Sequence, residues 1–259
     1  MKSFWSLAKI IDLKSLLVSG LAVLSTWLCL RFGIKADFPL TLIATAIVFP
    51  LVFSISTAYK RREKALEDYG NVKAHGRALY LAARDWLPDS DASLTAEIRD
   101  ILGDMLRACR DMFTNPIDDM PKHQQRVYAE FGRISLFVKR LRADGLSANE
   151  CSRCNQYLSR IMVSFENIKN IYQYRTPRTL RAFSDFFILL LPVLYGPYFA
   201  YQAAELDSWL GYVMPVLFTL ILVGLANIQN HLENPFDQIG DDDVAINPDK
   251  YVASLDSES

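Results

Sequence analysis

The sequence predicts an all-α membrane protein with four transmembrane helices and a large helical cytoplasmic region. Three observations predict it. Four long stretches are free of charge, most of the basic residues lie in one segment between the second and third stretch, and no period-2 alternation occurs anywhere. Average composition hides this, since 22% charged residues and a mean hydropathy of +0.10 would suit a soluble chain of 259 residues.

The uncharged stretches are Ser15–Leu30, Phe38–Tyr59, Phe186–Ala204 and Ser208–Leu232. A helix rising ~1.5 Å per residue needs about 20 residues to cross a ~30 Å hydrocarbon core. The first stretch is the shortest. Leu13, Phe32 and Ile34 lengthen it, and its flanking charges, Lys14 and Arg31, can reach the interface on their long stems. Its lysine-bearing start resembles a signal peptide, but Arg31 follows and no small-x-small cleavage site does, so an uncleaved first span is expected.

Charge orients the spans. Of 28 Lys and Arg residues, 22 lie between Lys60 and Arg181 against 16 acids, a net charge of 22 − 16 = +6. Lys60-Arg61-Arg62 directly follow the second span, and Arg175, Arg178 and Arg181 precede the third. Basic residues beside spans stay on the cytoplasmic side. The middle segment and both termini are therefore expected in the cytoplasm, with the plasma (bacterial inner) membrane as the location. The organisation expected is 1–59 for the N-terminal helix and first two spans, 60–182 for the cytoplasmic helices, 183–232 for the last two spans, and 233–259 for an acidic tail.

Within the middle segment the second span runs on without a breaker to Trp86. A helix opening at Ser93 carries Ile98, Ile101, Leu102, Met105, Leu106 and Cys109 at helical spacing. Asn115-Pro116 and Met120-Pro121 mark a break, Gln124–Leu141 reads as the next amphipathic helix, and Ser147–Tyr174 as the last, closed by Thr176-Pro177. These helices have more apolar faces than they can bury alone, so packing on further copies of the chain is expected. Glu233–Ser259 holds eight acids, one lysine and few apolar residues, and an irregular tail is expected there.

No nucleophile arrangement, phosphate loop or metal-ligand set stands out, and no enzyme activity or nucleic-acid partner is expected. Cys29, Cys109, Cys151 and Cys154 suggest no disulfide framework, and the Cys151–Cys154 pair lacks a second ligand pair at zinc spacing. His75, His123 and His231 are scattered.

Three segments in order resemble the bestrophin channels. Phe38-Pro39-Leu40-Thr41-Leu42 leads through an apolar span to Tyr59-x-Arg61 and Tyr69-Gly70. Phe165-Glu166-Asn167-Ile168 is followed by Thr176-Pro177, and Asn234-Pro235-Phe236 by Asp241-Asp242-Asp243. Val52-Phe53-Ser54-Ile55 and Arg62-Glu63-Lys64 stand where bestrophins usually have Gly-Phe-Arg-Asn and a Trp-rich stretch, which marks a divergent branch. The resemblance implies a homopentamer in lipid, with a central pore lined by the second span and vestibules on either side of a hydrophobic neck. It implies passage of small monovalent ions, usually anions such as chloride, although some bacterial members favour cations.

Carried over position by position, the neck falls on Thr45, Phe49 and Phe53, spaced i, i+4, i+8 and so near one helix face. Two collars of Phe would make a constriction that gates by dewetting, and the aromatic edges would favour weakly hydrated anions. The plainer reading of both rings is packing against lipid or neighbouring helices. A Thr45 hydroxyl, where bestrophins have an aliphatic residue, would wet one end of the neck. A second, cytoplasmic aperture maps near Leu146 and Asn149. The resemblance also raises calcium binding by Asn234, Asp241, Asp242 and Asp243, against a solvated acidic tail. The readings without conduction are a membrane-anchored scaffold or regulatory protein and, less well supported, a transporter, which the absence of charges within the spans disfavours.

Overall fold

In a computed structural model the described residues are 12–87, 92–174, 178–205, 209–236 and 243–257. They are overwhelmingly helical, with no strand among them. In chain order the helices are α1 (Leu13–Phe32), α2 (Leu40–Asp85), α3 (Ala92–Thr114), α4 (Met120–Ala143), α5 (Ala148–Gln173), α6 (Arg178–Leu194), α7 (Gly196–Glu205), α8 (Leu210–Glu233) and α9 (Pro248–Asp256). The chain divides into two units: Met1–Lys60 with Thr176–Glu233, and Arg61–Arg175 with Asn234–Ser259.

In the first unit the apolar side chains face outward. On α1, Leu13, Leu16, Leu17, Leu21, Leu24 and Trp27 are exposed, while Ser15, Val18, Ser19, Ala22, Thr26 and Cys29 are buried. Small buried residues let α6, α7 and α8 approach α1 closely, the packing expected where lipid, not water, is the solvent. Two buried hydroxyls are satisfied within their own helices, Thr26 donating to Ala22 O and Thr219 to Pro215 O, whereas the buried Ser19 and Ser54 Oγ atoms have no hydrogen-bond partner. Asp12 caps α1 by accepting from the Ser15 backbone N–H, and Gly33, at φ 68°, ends it in the left-handed conformation.

Three helical stretches, Leu13–Phe32, Ala182–Glu205 and Gly211–Glu233, are long and apolar enough to cross a membrane among the described residues. The third uncharged sequence stretch is not one smooth helix. It turns at Tyr195, between α6 and α7, where Gly196 lies so close to Ser25 that a Cβ there would meet the Ser25 Oγ at 2.2 Å. The expected second span is the N-terminal part of α2, which passes through Pro50 without ending.

In the second unit, α3 packs on α4 and α4 on α5. The capping box of Ser147 and Glu150 starts α5. Ala65, Tyr69, Val72, Leu79 and Tyr80 of α2 enter the same core. The Arg61 guanidinium donates to Ile171 O and Tyr174 O at the C-terminal end of α5, where carbonyls run out of helical partners.

The acidic C-terminal stretch departs from the irregular tail expected. Phe236 stacks on Phe113 at 4.9 Å and is 1% exposed, which gives the Asn-Pro-Phe segment a packing role. Further on, Asn247 caps α9, and Tyr251 and Leu255 insert into the core. Glycines make room for them. A Cβ on Gly76 would come within 2.6 Å of the Tyr251 hydroxyl, and one on Gly103 within 2.9 Å of Val252. The Tyr251 hydroxyl donates to Lys73 O at 3.0 Å.

Candidate pore lining

One face of α2 between Thr45 and Lys60 packs against the unit and the other does not. Ile47, Leu51, Ser54 and Ala58 are buried, at the three- and four-residue steps of one helix face. Leu51 meets Val18, Ile188 and Val223, while Ile47 meets Leu191, Tyr195 and Leu222. The opposite face exposes Thr45, Phe49, Val52, Phe53, Ser56 and Lys60. Phe49 is 61% exposed and Phe53 59%.

These two rings touch edge to face, 4.7 Å between centroids at 84°. Their edges therefore turn in different directions on one surface, presenting both the positive rim and the negative face of an aromatic ring. One turn earlier the Thr45 hydroxyl donates to Thr41 O at 2.6 Å, and one turn later the Thr57 hydroxyl donates to Phe53 O at 2.9 Å. Each hydroxyl thus spends its proton inside the helix and offers outward only acceptor lone pairs. All three residues placed in the neck by sequence lie on this exposed face.

No protein-family model matches the sequence, and no curated protein does. Solved structures do match. A tyrosine-to-alanine mutant of a bacterial bestrophin homologue from Klebsiella pneumoniae superposes with a TM-score of 0.77 over 94% of this chain and 97% of that one, at 17% identity. An aspartate-to-alanine mutant of the Klebsiella protein gives 0.74 over 99% and 98%, at 19% identity. This chain has the bestrophin fold. A third similar structure, described as a membrane protein, gives 0.75 at 17% identity over 94% of this chain and 93% of that one.

The remaining sequence expectations fall as follows on this bestrophin fold. Leu146 is 4% exposed and sits in the core of the second unit, where its N–H bonds Leu141 O after the left-handed turn at Gly145. Its side chain packs inward. Asn149, in the first turn of α5, is exposed.

Asp241 and Asp242 lie outside the described residues. Asn234 presents a buried Oδ1 without a hydrogen-bond partner, and Asp243 is half-buried. No three His, Cys, Asp or Glu side chains converge among the described residues.

Burial pushes the Cys109 thiol up to about 12. Burial, with Cys151 and Glu150 nearby, pushes Cys154 up to about 11. Thiolate, the form that binds metal or attacks, is scarce at both near neutral pH.

Proposed function

We propose that the chain is one subunit of a homopentameric channel that passes small monovalent anions such as chloride. Four spans sit in the membrane with both termini in the cytoplasm, and five copies of the N-terminal part of α2 surround the axis. Thr45, Phe49 and Phe53 are the neck, and Asn149 borders the cytoplasmic aperture.

The observation that carries this reading is the exposure of Phe49 and Phe53 on a helix whose other face is fully packed. Rings of five at these levels would stand about 6 Å apart along the axis. They would form a dry constriction that opens when water enters. The bestrophin fold supports the placement, and the +6 charge of segment 60–181 supports the orientation.

The test combines the mass of the detergent-solubilised complex with anion flux in liposomes. Five chains with flux is the expected result. A monomer without flux would leave the membrane-anchored scaffold as the better account.

A further inference from the structure

Lys60 belongs to the same surface as the neck. Counting 100° per residue, it lies about 20° from Phe49 and about 20° from Phe53 around the helix, seven residues past Phe53. It is exposed, and among the described residues no carboxylate pairs with it. Its charged neighbours along α2 differ. Arg61 is committed to the Ile171 and Tyr174 carbonyls, Arg62 to Glu63, and Lys64 to Glu67 at 3.1 Å and Asp68 at 3.6 Å. Side chains on a helix slope toward its N-terminus, so the Lys60 ammonium is carried back toward the Phe53 level.

We propose that Lys60 forms a ring of five ammonium groups at the cytoplasmic end of the neck and sets the channel's preference for anions. The inference rests on the pore reading above and extends it to the source of selectivity. With a positive edge and a negative face on the same surface, the Phe pair discriminates mainly by hydration, whereas a charged collar beside it discriminates by sign. Five unit charges about 10 Å from an ion, at the dielectric constant of water and screened over one Debye length, raise the local anion concentration about fourfold and lower that of cations similarly.

Planar-bilayer recordings in a KCl gradient test it, with wild type, Lys60→Gln, Lys60→Glu, Lys60→Arg and Phe53→Ala compared after each is checked for the wild-type oligomeric mass. Neutralisation should lower the chloride-over-potassium permeability ratio on the order of tenfold, the product of the two effects. Lys60→Glu should lower it further, and Lys60→Arg should keep it. The wild-type advantage should shrink in 1 M salt, where the Debye length is about 3 Å.

If Phe53→Ala alters conductance while both Lys60→Gln and Lys60→Glu keep the wild-type ratio, the pore stands and the Lys60 role is overturned. A difference that persists undiminished in 1 M salt also overturns it, because a through-space field must screen. A wild-type complex that passes no current removes the pore reading and the lysine collar together.

Discussion

Replacing Leu255 with alanine should lift the C-terminal helix off the second unit while leaving the rest of that unit folded. Helix α9 has nine residues, fewer than the ~12–15 a helix needs to persist alone in water, so it is helical because it is docked. Its anchors are Leu255 at 0% exposure and Tyr251 at 5%. Truncating a buried leucine costs about 2–5 kcal/mol, and a short helix free to detach sits toward the lower end, about 2–3 kcal/mol. At about 1.4 kcal/mol per factor of ten, the undocked population should rise roughly 30- to 100-fold.

The ion pairs Arg99–Asp256 (2.9 Å) and Arg107–Asp249 (3.2 Å) are exposed and add only tenths of a kcal/mol, so salt should change little. Amide hydrogen exchange reads this directly. Exchange at residues 251–256 should accelerate by that factor in Leu255→Ala, with amides of α4 and α5 unchanged. Tyr251→Phe, which loses the hydroxyl bond to Lys73 O and keeps the ring, should show an effect of tenfold or less. Unchanged protection of α9 would refute the docking energetics. Acceleration spread equally through α4 and α5 would show that Leu255 supports the whole core and no separable element.

Three further outcomes follow from the described geometry. Thr45→Ile should lower single-channel conductance by removing the wetting hydroxyl at one end of the neck, and an unchanged current would count against Thr45 lining it. Gly211→Ala should reduce the thermal stability of the detergent-solubilised protein by about 1–3 kcal/mol, since its Cβ would stand 2.1 Å from the Ala203 Cβ and 2.9 Å from its Cα; an unaltered melting temperature would refute so tight a crossing. His75 is stacked on Tyr157 and held below its ordinary 6.5, first by burial and then by Arg160. The unfolded chain therefore takes up the proton first, and the second unit should lose stability as pH falls through 6.5 toward the lower folded value. Melting curves of His75→Gln should lack that slope, and an identical slope would point to another group.

The helices were legible where periodicity and caps agreed. Ser147 with Glu150 announces α5, and the apolar steps from Ile98 to Cys109 announce α3. The inside-out character of α1 follows from its Leu-rich composition, but which face is buried depends on small residues that carry no hydropathy signal. Helix α9 was missed because eight acids dominate its surroundings. Its signals were short: Asn247-Pro248 as a cap and first turn, then Tyr251 and Leu255 four apart.

The break at Tyr195 was written in Gly196-Pro197, yet an uncharged run conceals such turns from a hydropathy count. Leu146 maps to an aperture by alignment alone, and its burial follows from the tight turn at Gly145, which throws the next apolar residue inward. Phe49 and Phe53 were singled out through resemblance, and the structure shows that both are exposed. Lys60 registered in the sequence only as an orienting charge, and its place on the same exposed face of α2 needed the helix register and the buried positions of its neighbours.

Pro50 lies between the two aromatic levels of α2 and supplies no N–H to the carbonyl of Ala46, one turn before it. The backbone ladder is thus thinnest in the very turn that bears Phe49. A missing rung of this kind is a common origin of helix bending. In the proposed neck, flexure at Pro50 would move Phe49 relative to Phe53, and a small change in one subunit would be repeated five times around the axis.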